Sequence, residues 1–255
     1  MEEKNEKLDG GDVRINIPLS KKLENFWYHY KWHTIVTVVV LIMGVILVMQ
    51  TCSRVETDAY IIYAGPHTIS RVGENGNISE YENAVSSLKK ITQDYTDDGV
   101  VSIALADLFV VNSEEAEKLL EANPGKEINA ALVKENTDTL HQKLLFGEYY
   151  LCFLSERLFL EYEEEYGAAM FADVKQYEKE GAEYEYASER GIYLRSLPFA
   201  SLPEICDLPD DTVVCLRRFS EVASTIGRAD NEENFKRGED MMKKLLSYGI
   251  TTKIK

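Results

Sequence analysis

Residues suited to chemistry are few in this chain, and their pattern favours binding over catalysis. After residue 52 the chain contains two histidines, His67 and His141. It contains no HExxH, GxSxG or GxxxxGK motif, which are signatures of zinc hydrolases, nucleophile elbows and phosphate-binding loops. The sequence therefore predicts no catalytic residue, no metal ligand and no cofactor, and we expect a protein that is not an enzyme.

Residues 94–99 begin like a calcium-binding loop, with oxygen-bearing side chains at the first, third and fifth positions and glycine at the sixth. The twelfth position needs a bidentate carboxylate, but it is Leu105. Aspartate and glycine are also common in turns, because both tolerate left-handed backbone conformations. The prediction here is a turn between a helix and a strand.

Ligand-binding residues are expected where the predicted strands end. Open α/β sheets bind ligands beyond the carboxyl ends of their strands, where helix N-termini offer free backbone donors. The residues that follow such ends are Gly65, His67, Thr68, Ser155, Arg217 and Arg218. Each also has a simpler interpretation: Gly65 suits a turn, Ser155 suits a helix N-cap, and the arginines suit surface charge.

The elements that would position these residues alternate between strands and helices. Apolar runs rich in β-forming residues predict buried strands at 59–64, 100–111, 149–154 and 212–216. Capping patterns and apolar periodicity predict helices at 79–92, after Asn112, at 138–146, after Ser155 and at 232–247. Residues 167–203 show no clear period and are predicted as loops and short pieces. The fold class is therefore α/β, with a mainly parallel or mixed sheet that helices cover.

One helix near the N-terminus is predicted to cross a membrane. Residues 34–49 contain no charged side chain, and the stretch 32–52 is about 30 Å long as a helix, which matches the hydrocarbon core of a bilayer. An aromatic cluster before this stretch is typical of the headgroup boundary. Its candidate membrane-interface residues are Trp27, Tyr28, Tyr30, Lys31 and Trp32.

Basic residues predict the orientation of this helix. Four of them lie within about 20 residues before the span, at positions 14, 21, 22 and 31, whereas Arg54 alone follows closely. This asymmetry favours a cytoplasmic N-terminus in a single-pass protein of the cell membrane, and the long segment before the span argues against cleavage as a secretory signal. We expect a disordered cytoplasmic tail at 1–20, an aromatic segment and transmembrane helix at 21–52, and one extracytoplasmic domain at 53–255.

The charge distribution excludes one class of partner. Basic and acidic residues cancel within residues 1–52, so the net charge of −16 lies on residues 53–255. A surface this acidic repels phosphate backbones, because their binding depends on lysine and arginine releasing counterions. Nucleic acid is therefore not an expected partner.

The four cysteines show no metal-ligand spacing. Cys152 lies in an apolar run and is expected in the core. Cys206 and Cys215 flank a turn-like segment, so a local disulfide between them stays open, as does lipidation of Cys52.

Two segments carry a resemblance to a known family. Residues 147–155, Gly-Glu-Tyr-Tyr-Leu-Cys-Phe-Leu-Ser, resemble a stretch of bacterial extracellular solute-binding proteins with the type II periplasmic-binding fold, in which a hydrophobic strand leads into a loop beside the ligand cleft. Residues 60–66, Tyr-Ile-Ile-Tyr-Ala-Gly-Pro, are similar to the opening unit of that fold. The aromatic cluster before a single span also looks like a group of anchored bacterial proteins that carry such a domain. The resemblance implies a reduced, single-lobe solute-binding domain.

Two functions follow as hypotheses. The first is a non-enzymatic, membrane-anchored extracytoplasmic binding module whose partners are the lipid bilayer, through residues 32–52, and a small molecule or peptide. The second is a structural or assembly subunit whose outer domain contacts a partner membrane protein. A binding module predicts a pocket with polar groups at strand ends, whereas an assembly subunit predicts an exposed apolar patch.

Overall fold

The computed structural model describes residues 19–52, 57–69, 79–219 and 228–249. The chain divides into two compact units, Met1–Arg54 and Val55–Lys255. Residues 1–18 of the predicted tail lie outside the described residues, and residues 19 and 20 already belong to a helix.

The first unit contains one long helix, α1 (Leu19–Cys52). Its most apolar stretch, Phe26–Leu47, has 22 residues and a mean hydropathy of 1.8. At 1.5 Å per residue this stretch is about 33 Å long, enough to cross a bilayer. It starts earlier than the predicted 32–52, since the aromatic cluster belongs to the same continuous helix. The helix fits a single-pass membrane anchor. A signal sequence near the N-terminus would meet the same criteria of length and apolar composition.

The second unit is built on a six-stranded mixed sheet in the order β2-β1-β3-β6-β5-β4. The strands are β1 (Ala59–Gly65), β2 (Ile103–Phe109), β3 (Leu151–Ser155), β4 (Tyr186–Ser188), β5 (Gly191–Tyr193) and β6 (Thr212–Leu216). β1 pairs in parallel with β2 and β3, whereas β6 runs antiparallel to both β3 and β5. The sheet is therefore parallel on one side of β3 and antiparallel on the other.

Helices cover both faces of this sheet. They are α2 (Ser79–Leu88), α3 (Ser113–Ala122), α4 (Ala130–Phe146), α5 (Glu156–Tyr166) and α6 (Arg228–Ser247). Apolar side chains of α2 and α6 pack on one face, and those of α4 and α5 pack on the other. β1, β3 and β6 are almost wholly buried, which explains why their sequences are continuous apolar runs rather than alternating ones.

Three helices of the second unit differ from their predicted bounds, and one of them, α6, begins at Arg228 rather than at residue 232. α4 begins at Ala130, eight residues before the prediction, because Asn129 caps it by accepting bonds from the backbone N–H groups of Ala131 and Leu132 at 3.0 and 3.2 Å. The buried residues of α4 are Leu140 and Leu144, in its second half, so apolar periodicity does not predict its first turns. α2 ends at Leu88 rather than near residue 92, where the Thr92 hydroxyl donates to the Leu88 carbonyl at 3.0 Å.

Residues 167–203 contain short elements that local sequence did not reveal. Besides β4 and β5, they form 3-10 turns at Gly167–Ala169, Val174–Tyr177, Leu194–Ser196 and Pro198–Ser201. Tyrosine hydroxyls attach this region to the helices: Tyr177 donates to Glu239 at 2.6 Å and Tyr184 to the Leu246 carbonyl at 3.1 Å. Tyr177 is buried and Tyr184 is half-buried, and both act as structural donors to α6.

The cysteines do not form the disulfide that the sequence left open. Cys206 is exposed and Cys215 is fully buried, and both are free thiols. Cys215 instead lies opposite Cys152 in the β3–β6 register, inside the core. Cys152 is buried as expected.

Asp58, just before β1, holds the connection between α2 and β2. Its fully buried carboxylate accepts bonds from the backbone N–H groups of Tyr95, Thr96 and Ser102 at 2.7, 3.0 and 2.7 Å. Asp94 accepts from the N–H groups of Asp98 and Gly99 in the exposed part of the same loop. The carboxylates of this segment therefore close a turn, as predicted.

Replacing Asp58 by alanine is expected to destabilise the domain strongly. The Asp58→Ala variant leaves three backbone donors without their acceptor, which costs on the order of 3 kcal/mol of unfolding free energy. Asp94→Ala is the matched control and is expected to cost clearly less, because its turn is open to water. Chemical denaturation of both variants measures the difference, and equal losses would contradict this role for Asp58.

Candidate functional site

Four of the predicted ligand-binding positions meet at one edge of the sheet. Gly65 is the last residue of β1 and lies opposite Phe109, the last residue of β2. β3 runs parallel to β1, so Ser155 ends at the same edge. His67 and Thr68 follow β1 directly and are half-buried there. This edge, called here the carboxyl edge, is where the sequence placed a site.

Arg217 and Arg218 lie at the opposite edge, contrary to the arrangement that a mainly parallel sheet predicts. β6 is antiparallel to β3, with Ser155 opposite Thr212 and Leu151 opposite Leu216. The end of β6 therefore meets the start of β3. The predicted arginines cannot share a site with Gly65 and His67.

Arg217 is a structural residue rather than surface charge. Its side chain is 3 % exposed and donates to the carbonyls of Leu144 and Tyr149, each at 3.1 Å, and to that of Gly147. These carbonyls belong to the end of α4 and the segment that enters β3. A cation suits this position because it satisfies the orphan carbonyls of a helix C-terminus. Arg218 is exposed and donates to the Ala168 carbonyl at 3.1 Å.

Ser155 occupies the N-cap position of α5 but does not cap it through its side chain. The first helical N–H, of Glu156, donates instead to the Asp211 carbonyl at 2.9 Å. The buried hydroxyl oxygens of Ser155 and Thr212 have no hydrogen-bond partner. Such groups are costly in an apolar core, and an ordered water is their usual partner.

Gly65 is required by close packing at the carboxyl edge. A Cβ atom at this position would lie 2.9 Å from the Tyr63 hydroxyl oxygen and 3.3 Å from the Cβ of Ser155. The Tyr63 ring thus fills the space above the glycine, and its hydroxyl accepts a bond from the His67 backbone N–H at 3.3 Å. The buried tyrosine fixes the loop that carries His67 and Thr68.

A cleft of about 800 Å³ opens at the carboxyl edge, in front of β1 and β2. Its inner wall contains the ends of these strands and the loop after β1. Its outer walls are the end of α3, the connection 123–129 and the first turns of α4. The residues that line it are Pro66, His67, Thr68, Asp107, Phe109, Leu119, Leu120, Asn123, Lys126, Glu127, Ile128, Asn129, Leu132 and Asn136.

Three asparagines fix the frame of this cleft. The Asn123 amide donates to the Leu119 carbonyl at the end of α3, and Asn129 caps the start of α4. The Asn136 amide donates to the carbonyl of Phe109 at 3.0 Å, which ties α4 to the end of β2. The walls are therefore pre-organised by hydrogen bonds to backbone groups.

Apolar side chains of α3 and α4 face this cleft. α3 contains no fully buried residue, although a complete capping box between Asn112 and Glu115 defines its start as predicted. Leu120 and Leu132 are 38 % and 47 % exposed, and both line the cleft. A ligand that entered the cleft would cover apolar surface that the fold leaves open to water.

Carboxylates influence the phenol of Tyr63 at the carboxyl edge. Burial raises the pKa of the Tyr63 phenol, and the carboxylates of Asp107 and Asp211 add to this rise. Burial also raises the pKa of Asp211, with a further contribution from Glu156 and with Arg195 opposing it. The carboxylates of Asp107 on β2 and of Asp211 before β6 therefore both lie near the buried Tyr63.

Sequence reasoning missed Asp107, Asn136 and the connection 123–129. Asp107 lies inside a predicted strand, where a lone acidic residue in an apolar run was the available signal. Asn136 lies in the part of α4 that was not predicted. Within the described ranges no group of three or more His, Cys, Asp or Glu residues is placed to hold a metal ion.

The structural role of Arg217 predicts a large effect of its removal. Arg217→Met is expected to lower the free energy of unfolding by on the order of 3 kcal/mol, because it leaves buried carbonyls without a donor. Arg218→Met, the adjacent control, should change it by less than about 0.5 kcal/mol. Urea denaturation of both variants measures this, and a tolerated Arg217→Met would contradict the capping role.

Asp211 predicts a pH dependence of stability. Because its folded-state pKa is raised, the folded state holds the proton more tightly, so this group lowers stability as the pH rises through the folded pKa. Asp211→Asn is therefore expected to be neutral in acid, below the ordinary aspartate pKa, and stabilising at pH 7. The gain should stay below about 1 kcal/mol because the group is partly solvated and screened. Thermal melts at both pH values check this, and an equal gain at both would contradict it.

Comparison with known proteins gives no match: the chain matches no protein-family model, no curated protein and no solved structure. The resemblance to solute-binding proteins stays a prediction. The functional assignment therefore rests on the geometry and charge of the described residues, because function belongs to sites rather than to folds.

Proposed function

We propose that this protein is a non-enzymatic binding module on a membrane anchor, and that its ligand occupies the cleft at the carboxyl edge. The observation that carries the proposal is the position of this cleft. It lies beyond the carboxyl ends of β1 and β2, where open α/β sheets bind ligands. His67 and Thr68, which the sequence singled out, line it.

The size and lining of the cleft support a binding role. A volume of about 800 Å³ falls within the range of small-molecule sites, which are mostly apolar with a few placed polar groups. Phe109, Leu120 and Leu132 provide apolar surface here, and Asp107, His67 and Thr68 provide polar groups. The backbone hydrogen bonds of the asparagines hold these walls in place without a ligand.

The helix α1 supports the membrane part of the proposal. Its apolar stretch has the length of a bilayer core, and Trp27, Tyr28, Tyr30, Lys31 and Trp32 occupy one end of it, as interfacial side chains do. More basic residues lie on the N-terminal side of the span than closely after it, and this asymmetry favours a cytoplasmic N-terminus and an extracytoplasmic binding domain. A single-lobe domain resembling type II solute-binding proteins is part of the same proposal.

A second candidate function is an assembly subunit of a membrane complex. Phe146, at the end of α4, favours it because 71 % of this side chain is exposed. Aromatic residues are enriched where protein interfaces form. Leu120 and Leu132 favour the first function instead, since they line the cleft rather than an open face.

A ligand screen, followed by a substitution that fills the cleft with a larger side chain, tests the proposed function. A thermal-shift screen of the detergent-solubilised full chain against sugars, amino acids, small peptides and amines is expected to find a stabilising class, because ligand binding to the folded state raises its stability. Leu132→Trp should then weaken that ligand at least about tenfold by occupying its space.

Leu160→Trp is the matched control for this experiment. Leu160 is 42 % exposed on α5 and does not line the cleft. Its substitution is expected to leave binding unchanged. Absence of stabilisation by every ligand class, or equal effects of the two tryptophans, would reject the cleft as the site.

A further inference from the structure

We propose that the cleft selects a small organic cation, meaning a molecule that carries a protonated amine next to an apolar group. This inference rests on the proposed function, and it specifies the ligand class of the same site. Three features of the cleft lead to it: the position of Asp107, the charge of the surrounding edge, and the apolar surface opposite.

Asp107 places a carboxylate on the inner wall of the cleft. It lies two residues before the end of β2, opposite Tyr63 of β1, and is half-buried. It is the one charged residue of that strand. A charge held at a half-buried position interacts more strongly with a bound ion than a charge in open water does.

The neighbouring carboxylates strengthen this preference. Three carboxylates lie close enough to Tyr63 to raise the pKa of its phenol and so to disfavour its negatively charged form. They belong to Asp107, Asp211 and Glu115. Glu115 is neutralised in part by Arg157, at 2.8 Å, whereas the domain as a whole carries a large excess of acidic residues. A field of one sign around a cleft concentrates ligands of the opposite sign and repels those of the same sign.

Among the described residues that line the cleft, Lys126 is the one lysine or arginine. It lies beside Glu127 in the exposed connection between α3 and α4. Exposed charges at a rim are screened by solvent and contribute little to binding. Solvent therefore screens the half-buried carboxylate of Asp107 less than it screens the rim cation.

The rest of the cleft suits the apolar part of such a ligand. Phe109 lines the inner wall beside Asp107, and aromatic rings attract organic cations as well as apolar groups. Leu119, Leu120 and Leu132 form the opposite wall. A cleft of about 800 Å³ accommodates a small molecule, so the expected ligand is a free amine.

Isothermal titration of the full chain in detergent tests the charge preference with three probes of similar size: 2-phenylethylamine, 2-phenylethanol and 3-phenylpropanoate. We expect the amine to bind at least about tenfold more tightly than the alcohol, and the carboxylate to bind most weakly. Asp107→Asn should remove the advantage of the amine over the alcohol. Asp138→Asn, an exposed site on α4 outside the cleft, should preserve it.

The relative affinities of the three probes for the unmodified chain test the inference even if Asp107→Asn fails to fold. Equal binding of amine and alcohol, or preference for the carboxylate, overturns the cation class and leaves the binding function standing. Failure of all three probes, together with a negative ligand screen, overturns both. A further arm uses the amide of acetyl-lysyl-leucine, and tighter binding of this peptide than of the amine would overturn the assignment to a small molecule.

Discussion

The pairing of β3 with its two neighbours determines where every other feature of the domain lies. β3 is buried along its whole length, parallel to β1 on one side and antiparallel to β6 on the other. The parallel pairing places the ends of β1, β2 and β3 at one edge of the sheet, and the antiparallel pairing places the start of β6 at the same edge. It sends the end of β6, with Arg217, to the opposite edge. The antiparallel pairing of β3 with β6 thus separates the edge that contains the cleft from the edge where Arg217 binds the carbonyls at the end of α4.

The parts of this fold that depend on local patterns could be predicted, whereas the parts that depend on long-range pairing could not. Continuous apolar runs gave β1, β3 and β6 to within a residue or two, because strands buried on both faces leave that signal. The direction of β6 depends on contacts about 60 residues apart in sequence, which no local pattern encodes. For the same reason the sequence suggests surface charge at Arg217, although its guanidinium donates to carbonyls at the end of α4.

The candidate site shows the same division. His67 and Thr68 were predictable because they follow an obvious strand, and the structure places both in the cleft wall. Asp107 and Asn136 come from elements whose exact extent depended on tertiary contacts, so their shared location was not visible in the sequence. Local reasoning therefore indicated two residues of the cleft wall but not the carboxylate of Asp107 beside them.

β2 is an end strand of the sheet, and no described strand pairs with its outer side. Its seven residues include no proline or lysine, the usual devices that prevent another chain from adding to an open edge. Asp107 is its one charge, and a charge directed into the layers of a sheet is a further such device. The carboxylate of Asp107, which lines the cleft, therefore also opposes edge-to-edge association, so that the proposed recognition and the resistance to aggregation would depend on the same side chain.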